Sequence, residues 1–321
     1  MSRRFFVLTI VGAATAAVLL LPSVGAAEQA SQVPDPQHSC ASDDPAVFWR
    51  CAQEKAKTFD PPRTADGQPD LSGYWRQTTE AKEDLEEPWD NAARVGVGRG
   101  RDVPLGPGKS LVVEPPNGKL PFQPWADAQR KENFAQYIDQ NVHCFLSGVP
   151  RHMYEAPAYQ VLQTSDYIAI PSEEAHAFRI ITMDNRPHVG KDIRLWLGDA
   201  RGRWEGTTLV VETTNHNGRV FLDRRGTFYT DAATVTERFT MLDRDTIAYA
   251  ATVDDPLVYT RPFTIAFMLT RHTTKDFEIW EDACFEGEAD VKHLYKLGFK
   301  MYPGITSEDV PALRARTPAS R

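Results

Sequence analysis

The sequence predicts a mainly β protein, and two observations carry this prediction. Short runs rich in Val, Ile, Thr, Tyr and Phe recur from residue 159 onward, and turn-forming residues separate them. Within the runs, apolar and polar side chains alternate, as they do in strands that bury one face. About eight or nine such strands in succession favour a closed barrel or a sandwich. We expect an antiparallel β-barrel of about eight strands, because closure removes the exposed sheet edges.

The predicted strands occupy nine segments in the second half of the chain. They are residues 159–164, 167–171, 177–183, 193–197, 207–213, 234–242, 246–253, 264–270 and 277–283. A barrel of about eight strands has room for one small ligand. The strand pattern therefore predicts a lumen whose inward side chains decide the function.

The N-terminus has the pattern of a secretion signal. Arg3 and Arg4 precede a long apolar run over residues 7–21, and small residues follow at 23–27. Cleavage near residue 27 predicts a periplasmic or secreted protein that is not held in the membrane. The two arginines also partly match a twin-arginine signal, so the export route stays open. Their removal lowers the formal net charge from −8 to −10, and an acidic chain is a poor ligand for nucleic acid.

Four cysteines, Cys40, Cys51, Cys144 and Cys284, fit an exported chain with two disulfides. Three pairings are possible, and we expect Cys40–Cys51 as a local bridge and Cys144–Cys284 as a long one. The chain has no C-x-x-C, which removes support for a zinc knuckle, a thioredoxin motif or a c-type haem site.

The domain prediction divides the chain into four parts. A signal peptide spans residues 1–27, and an N-terminal arm with two short helices and long loops spans 28–140. The first helix is expected to begin at Pro45, and the second is expected to cover residues 125–138. The barrel follows at 141–300, and a C-terminal tail ends the chain at 301–321.

Strand alternation selects the candidate catalytic residues. Glu237 shares a face with apolar residues of its strand, and Tyr249 does so in the next strand. His176 is assigned to the face that holds Phe178, whereas Arg179 points inward if the register is reversed. His176, Glu237 and Tyr249 are therefore the inward candidates, with Arg179 as the alternative.

These residue types suit general acid–base catalysis. Burial raises the pKa of a carboxyl group and lowers that of an imidazole, so His176 and Glu237 can exchange protons near neutral pH. Tyr249 or Tyr229 would donate a hydrogen bond to the substrate. A Glu that meets an Arg or His also occurs as a purely structural ion pair. The catalytic interpretation requires a hollow lumen with both groups inside it.

Residues of two polar loops are candidates for ligand contacts. Arg186 and His188 lie in one loop and Arg261 lies in the other, where a guanidinium can bind an anionic group. Arg179 and Trp196 complete the predicted substrate-binding set. The histidines fit no compact metal motif, and no cofactor is expected. The motifs of serine hydrolases and nucleotide enzymes are also missing from the sequence.

Several motifs together resemble a large group of secreted bacterial proteins, frequent in acidobacteria and some proteobacteria and mostly uncharacterised. The motifs are RTADGQPDLSGYW at 63–75, GVPR at 148–151 with MYE at 153–155, RPH at 186–188, Trp196 to Gly198-Asp199, RWEG at 203–206 to Val211, Asp223, and ERF at 237–239. The resemblance covers most of the mature chain and implies a lipocalin-like barrel, without an activity that carries over. The chain departs from the group where Tyr229 and Thr234 replace expected histidines and where His216 replaces an expected aromatic residue.

Three functions remain open from the sequence. The first is a cofactor-free lyase, isomerase or hydratase that acts on a small, largely apolar or aromatic molecule. The second is a lipocalin-like protein that binds such a molecule without changing it. The third is a metal-dependent enzyme that uses His176 and His188. The first is slightly favoured, because a cavity that only binds needs no proton-transfer groups.

Overall fold

The computed structural model describes residues 38–79, 81–87, 109–281, 284 and 289–316. The predicted signal peptide lies outside the described residues, as does the end of the predicted tail. The helices are α1 Pro45–Lys55, α2 Pro124–Gln136, α3 His152–Glu155, α4 Ala289–Lys296 and α5 Val310–Arg316, with 3-10 turns at Gln140–His143 and Glu174–His176. The strands are β1 Gly73–Gln77, β2 Val112–Glu114, β3 Tyr137–Ile138, β4 Tyr159–Gln163, β5 Tyr167–Pro171, β6 Phe178–Thr182, β7 Asp199–Glu205, β8 Thr208–Thr214, β9 Thr234–Asp243, β10 Thr246–Asp254, β11 Phe263–Arg271 and β12 Lys300–Met301.

The predicted mainly β barrel is confirmed. Nine strands form a closed ring in the order β1, β4, β5, β6, β7, β8, β9, β10 and β11, because β1 also pairs with β11. Strand β2 extends the same sheet beside β11. One neighbouring pair in the ring, β6 with β7, is parallel. This pairing is short and joins Ile181 to Ala200 and Thr182 to Arg201. The barrel is therefore mixed and not wholly antiparallel.

Some strand predictions need correction. The segment 193–197 forms no strand, and Leu195 makes only a single bridge to His216. The described part of 277–283 forms no strand either, and the ring of Phe277 stacks on His272 at 3.5 Å. Conversely, β1 and β2 come from the predicted arm, residues 28–140.

Helix α1 covers the outer wall of β9, β10 and β11. The Asp44 carboxylate accepts hydrogen bonds from the amides of Ala46 and Val47, and Pro45 occupies the first helical turn. Phe48 and Ala52 are buried against Leu242, Ala248 and Met268, which face outward from the three strands. The second predicted helix also exists as α2, although it ends at Gln136.

The expectation of a hollow lumen is wrong for this structure. Large side chains, including Trp75, Tyr159, Tyr249 and Arg179, fill the interior and are almost completely buried. A cavity of about 10 Å³ lies in this interior, which is about the room that one water molecule needs. The barrel core is therefore packed like an ordinary protein interior.

Both predicted disulfides are present. Cys40 is joined to Cys51, and Cys144 is joined to Cys284. Two disulfides are consistent with an oxidising compartment. Within the described ranges, no helix has both the length and the apolar character that a transmembrane span requires.

Candidate ligand site inside the barrel

An ionic network occupies the centre of the lumen. Nη1 of Arg179 donates to Oε1 of Glu237 at 2.8 Å, and Nη2 donates to Oε2 of the same carboxylate. Nη2 also donates to the hydroxyl of Thr213 at 2.9 Å. The Tyr249 hydroxyl donates to Oε1 of Glu237 at 2.8 Å. We call these four residues the polar network; they join β6, β8, β9 and β10 across the interior.

The register of β6 decides which predicted residue enters this network. Arg179 is 2 % exposed, whereas Phe178 and Ile180 are 66 % and 44 % exposed. The reversed register is therefore the one that forms, and the face assigned to His176 is the outer one along β6. The backbone of His176 ends a 3-10 turn, and its side chain lies outside the described part of the structure. Its catalytic role stays a prediction.

A second polar contact lies beside the network. The Tyr229 hydroxyl donates to the carbonyl of Val149 at 2.9 Å and lies 3.3 Å from Nδ1 of His216. Nε2 of His216 lies 3.1 Å from the carbonyl of Thr213, and this nitrogen must carry the hydrogen because a carbonyl oxygen only accepts. Burial lowers the pKa of His216 to about 4. His216 is thus neutral at physiological pH, and burial also raises the pKa of Tyr229.

The small cavity lies toward the end of the barrel where β8 and β10 begin and β11 ends. Its walls are almost entirely apolar, and we call this region the apolar end. The lining residues are Leu71, Trp75, Tyr159, Val161, Ile168, Ile170, Leu209, Phe239, Ile247 and Leu269. The hydroxyl of Tyr159 is buried and has no hydrogen-bond partner among the described residues. Burial, followed by the nearby Glu237 carboxylate, raises the pKa of this hydroxyl.

The other predicted ligand contacts lie outside the lumen. Arg186 is at the surface, where it pairs with Asp184 and donates to the hydroxyl of Tyr167 at 3.0 Å. Arg261 is exposed. The structure does not bring either arginine to the polar network, so neither anchors an anion there.

His188 and Trp196 also lie away from the polar network. His188 lies 2.8 Å from Asp199 and 3.4 Å from Glu212 through its two ring nitrogens. The ring of Trp196 stacks on Phe145 at 4.9 Å between centroids. Among the residues with described side chains, no three His, Cys, Asp or Glu groups converge to hold a metal ion.

Sequence reasoning did not select Thr213 or Tyr159 as functional residues. Thr213 follows Leu209 and Val211 at a spacing of two residues, so alternation within β8 was a signal for its inward direction. Tyr159 begins β4 and Trp75 lies in β1, which pairs with it. The contribution of β1 had no signal, because its partners β4 and β11 are distant in the sequence.

The fold and these contacts define a closed β-barrel protein with a buried ionic network and a small apolar cavity. A comparison with protein-family models, curated proteins and solved structures found no match to the chain. The resemblance to secreted bacterial barrel proteins therefore continues only as a proposal.

Proposed function

We propose that this chain is an exported barrel protein that binds one small, largely apolar organic molecule at the apolar end of its lumen. The observation that carries the proposal is the cavity, because seven strands and Leu71 contribute its apolar lining. Small-molecule sites in proteins are usually concave, mostly apolar and placed inside barrels or at their mouths. The predicted secretion signal and the two disulfides support export.

The size of the cavity limits the ligand. A space of about 10 Å³ holds no organic molecule, so the ligand enters only when neighbouring side chains move. Displacement of the aliphatic side chains breaks no hydrogen bond, whereas a ligand in the polar network would separate Arg179 from Glu237. The ligand is therefore compact, and one hydrogen-bonding group on it would satisfy the buried Tyr159 hydroxyl.

Catalysis is not part of this proposal. Arg179 holds both carboxylate oxygens of Glu237, and Tyr249 donates to one of them. A general base needs a free oxygen within hydrogen-bond reach of the substrate proton. The arrangement thus supports the structural interpretation of the Glu–Arg pair over the acid–base interpretation.

Binding can be tested with N-phenyl-1-naphthylamine, an uncharged apolar dye that fluoresces when it leaves water. We expect saturable binding to the wild-type protein, because the apolar end can admit one compact aromatic molecule. Val161→Phe adds volume to the cavity wall and is expected to abolish binding. Leu162→Phe is the matched control, because Leu162 is the next residue and is exposed on the outer face.

Thermal unfolding of each variant checks that it folds. If Val161→Phe does not fold, Leu209→Ala provides the opposite change, since it enlarges the cavity and should tighten dye binding. Absence of saturable binding to the wild type would overturn the proposal. Equal binding by the Val161→Phe and Leu162→Phe variants would place the dye elsewhere and would also overturn it.

A further inference from the structure

We propose that residues 61–72, called the cover below, close the apolar end and that the Leu71 side chain occupies part of the space that the ligand takes. The cover contains most of the motif at 63–75, to which the fold alone assigned no role. This inference rests on the proposed function, because it concerns access to the same cavity. Its test on cover movement needs no ligand.

The cover is a compact unit with its own hydrogen bonds. The amide of Asp70 donates to the carbonyl of Pro62 at 2.8 Å, and that of Thr64 donates to Gln68 at 2.9 Å. The amide of Gly67 donates back to the carbonyl of Thr64 at 2.9 Å. Residues 65–67 at its tip are exposed. Because these bonds are internal, the cover can move as a body without losing them.

Leu71 lies on the barrel side of the cover. It is 1 % exposed and lines the cavity together with side chains from the strands. Its backbone is held at both polar groups, since Leu71 N–H donates to Oε1 of Gln163 at 3.1 Å and Nε1 of Trp75 donates to its carbonyl at 2.9 Å. Nε2 of Gln163 also donates to the carbonyl of Pro69 at 2.9 Å. Hydrogen bonds with the side chains of Gln163 and Trp75 thus hold Leu71 in place at the end of the lumen.

Arg271 holds the junction between the cover and β1. Nη1 of Arg271 donates to the carbonyl of Ser72 at 2.8 Å, and Nε donates to the carbonyl of Arg244 at 3.0 Å. Its guanidinium carbon lies 4.2 Å from the centroid of a Trp75 ring, so the cation also covers the indole. This side chain therefore connects the cover to the turn between β9 and β10.

Gly73 follows the cover directly and has a φ of 129°. A Cβ at this position would lie 2.3 Å from Nη1 of Arg271. Glycine is thus required both for the backbone conformation and for the close approach of Arg271. A glycine next to a self-contained loop is a suitable place for the dihedral change that lets a cover open.

The test measures how fast a thiol in the cavity wall reacts with methyl methanethiosulfonate, a small thiol reagent. The four native cysteines are paired in disulfides, so an introduced cysteine is the only thiol. Val161→Cys places the thiol at the apolar end. Ala251→Cys is the control, because Ala251 is also buried and pairs with Glu237 in the polar half of the lumen.

Arg271→Met removes the hydrogen bonds of Arg271 but keeps a long side chain. In this background, we expect Val161→Cys to react roughly tenfold faster, because the hydrogen bond from the charged guanidinium to Ser72, which holds the cover, is lost. Ala251→Cys should react at its original rate. Gln163→Leu, which frees the cover at a different contact, should produce the same pattern. The proposal that the cover opens would be overturned by an unchanged Val161→Cys rate in both the Arg271→Met and Gln163→Leu backgrounds. Equal acceleration of Val161→Cys and Ala251→Cys would also overturn it.

The role of Leu71 is tested by dye binding. Leu71→Ala empties the space that Leu71 fills, so N-phenyl-1-naphthylamine should bind several-fold more tightly. Weaker binding would show that Leu71 is a contact of the ligand and not its substitute. If the cysteine rates respond as expected but no variant binds the dye, the cover stays and the proposed function fails. If the dye binds but the cysteine rates do not respond, only the cover fails.

Discussion

Strands β8, β9 and β10 contribute to both halves of the lumen, but the two halves hold different interactions. In the polar network, each side chain is fixed by directed contacts, as in the bidentate pair of Arg179 with Glu237. At the apolar end, side chains such as Phe239 and Ile247 are held by shape and burial alone. These two residues share the inward faces of β9 and β10 with Glu237 and Tyr249.

This difference favours the apolar end as the place where the proposed ligand would enter. Apolar packing tolerates rearrangement if volume is preserved, so the apolar end can adapt at a small cost in free energy. A buried ion pair tolerates little, because loss of one partner leaves a charge without solvent or counter-charge. The polar network thus fixes the barrel, and the apolar end is the half that can rearrange around the proposed ligand.

The largest expected effect comes from breaking the polar network. Arg179→Met leaves the Glu237 carboxylate buried without its counter-ion, and we expect a loss of about 3–5 kcal/mol in the free energy of unfolding. Urea denaturation measures this loss. If the polar network fixes the barrel, a second substitution, Glu237→Leu, should restore most of the stability, because no buried charge then remains.

The control for this prediction is an ion pair on the barrel surface. Arg203 donates to Glu205 at 2.8 Å, and both side chains are well exposed. Arg203→Met should change the free energy of unfolding by less than about 1 kcal/mol. Similar losses for Arg179→Met and Arg203→Met would remove the contrast between the two halves.

The next effect is a dependence of stability on pH. Burial holds the pKa of His216 at about 4 in the folded protein, against 6.5 for a solvated side chain. His216 therefore binds a proton below pH 6.5 in the unfolded chain, but only below about pH 4 in the folded protein. Stability falls through this window, by about 2–3 kcal/mol at pH 4.5.

His216→Phe removes the titrating group and should remove this part of the pH dependence. The measurement compares urea unfolding of the wild type and the variant at pH 7.5 and pH 4.5. Any effect of the lost hydrogen bonds is present at both pH values and cancels in the comparison. A variant that loses as much stability on acidification as the wild type would show that His216 is not the group responsible.

Local alternation in the sequence predicted much of the barrel and part of its interior. Glu237 and Tyr249 lie inside as predicted, because strands β9 and β10 are long and alternate regularly. His176 and Arg179 lie at a turn and a short strand, where few residues set the register. In β6, Arg179 points into the barrel and Phe178 points out, which is the reverse of the predicted register. Glu237 therefore has an arginine partner.

Other features depended on contacts between distant parts of the chain. Strand β1 joins the barrel through pairing with β4 and β11, which no local pattern announces. Segment 193–197 has the apolar residues of a strand, but its backbone forms only one isolated bridge, from Leu195 to His216. The sequence also could not predict that the lumen is filled, because alternation gives the direction of side chains and not the space left between them.

At the apolar end, loss of one methylene group should weaken the fold slightly and improve binding. Ile247→Val is expected to cost about 1 kcal/mol of stability and to bind N-phenyl-1-naphthylamine more tightly, because the cavity grows. Ile265→Val is the control: Ile265 is equally buried in the core but does not line the cavity. It should lose similar stability without a change in dye affinity. Equal affinities of both variants for the dye would contradict a site at this end.

The smallest expected effect lies at the boundary between the two halves. Tyr159 lines the cavity, and its buried hydroxyl has no partner among the described residues. An unpaired buried hydroxyl is unfavourable, so Tyr159→Phe should leave stability unchanged or raise it by up to about 1 kcal/mol. Tyr249→Phe is the control, because it removes a hydroxyl that donates to Glu237 and should lower stability. If Tyr159→Phe lowers stability as much as Tyr249→Phe, then the Tyr159 hydroxyl is already satisfied in the ligand-free protein. It would then not be available to a ligand, and the ligand would be held by apolar contacts alone.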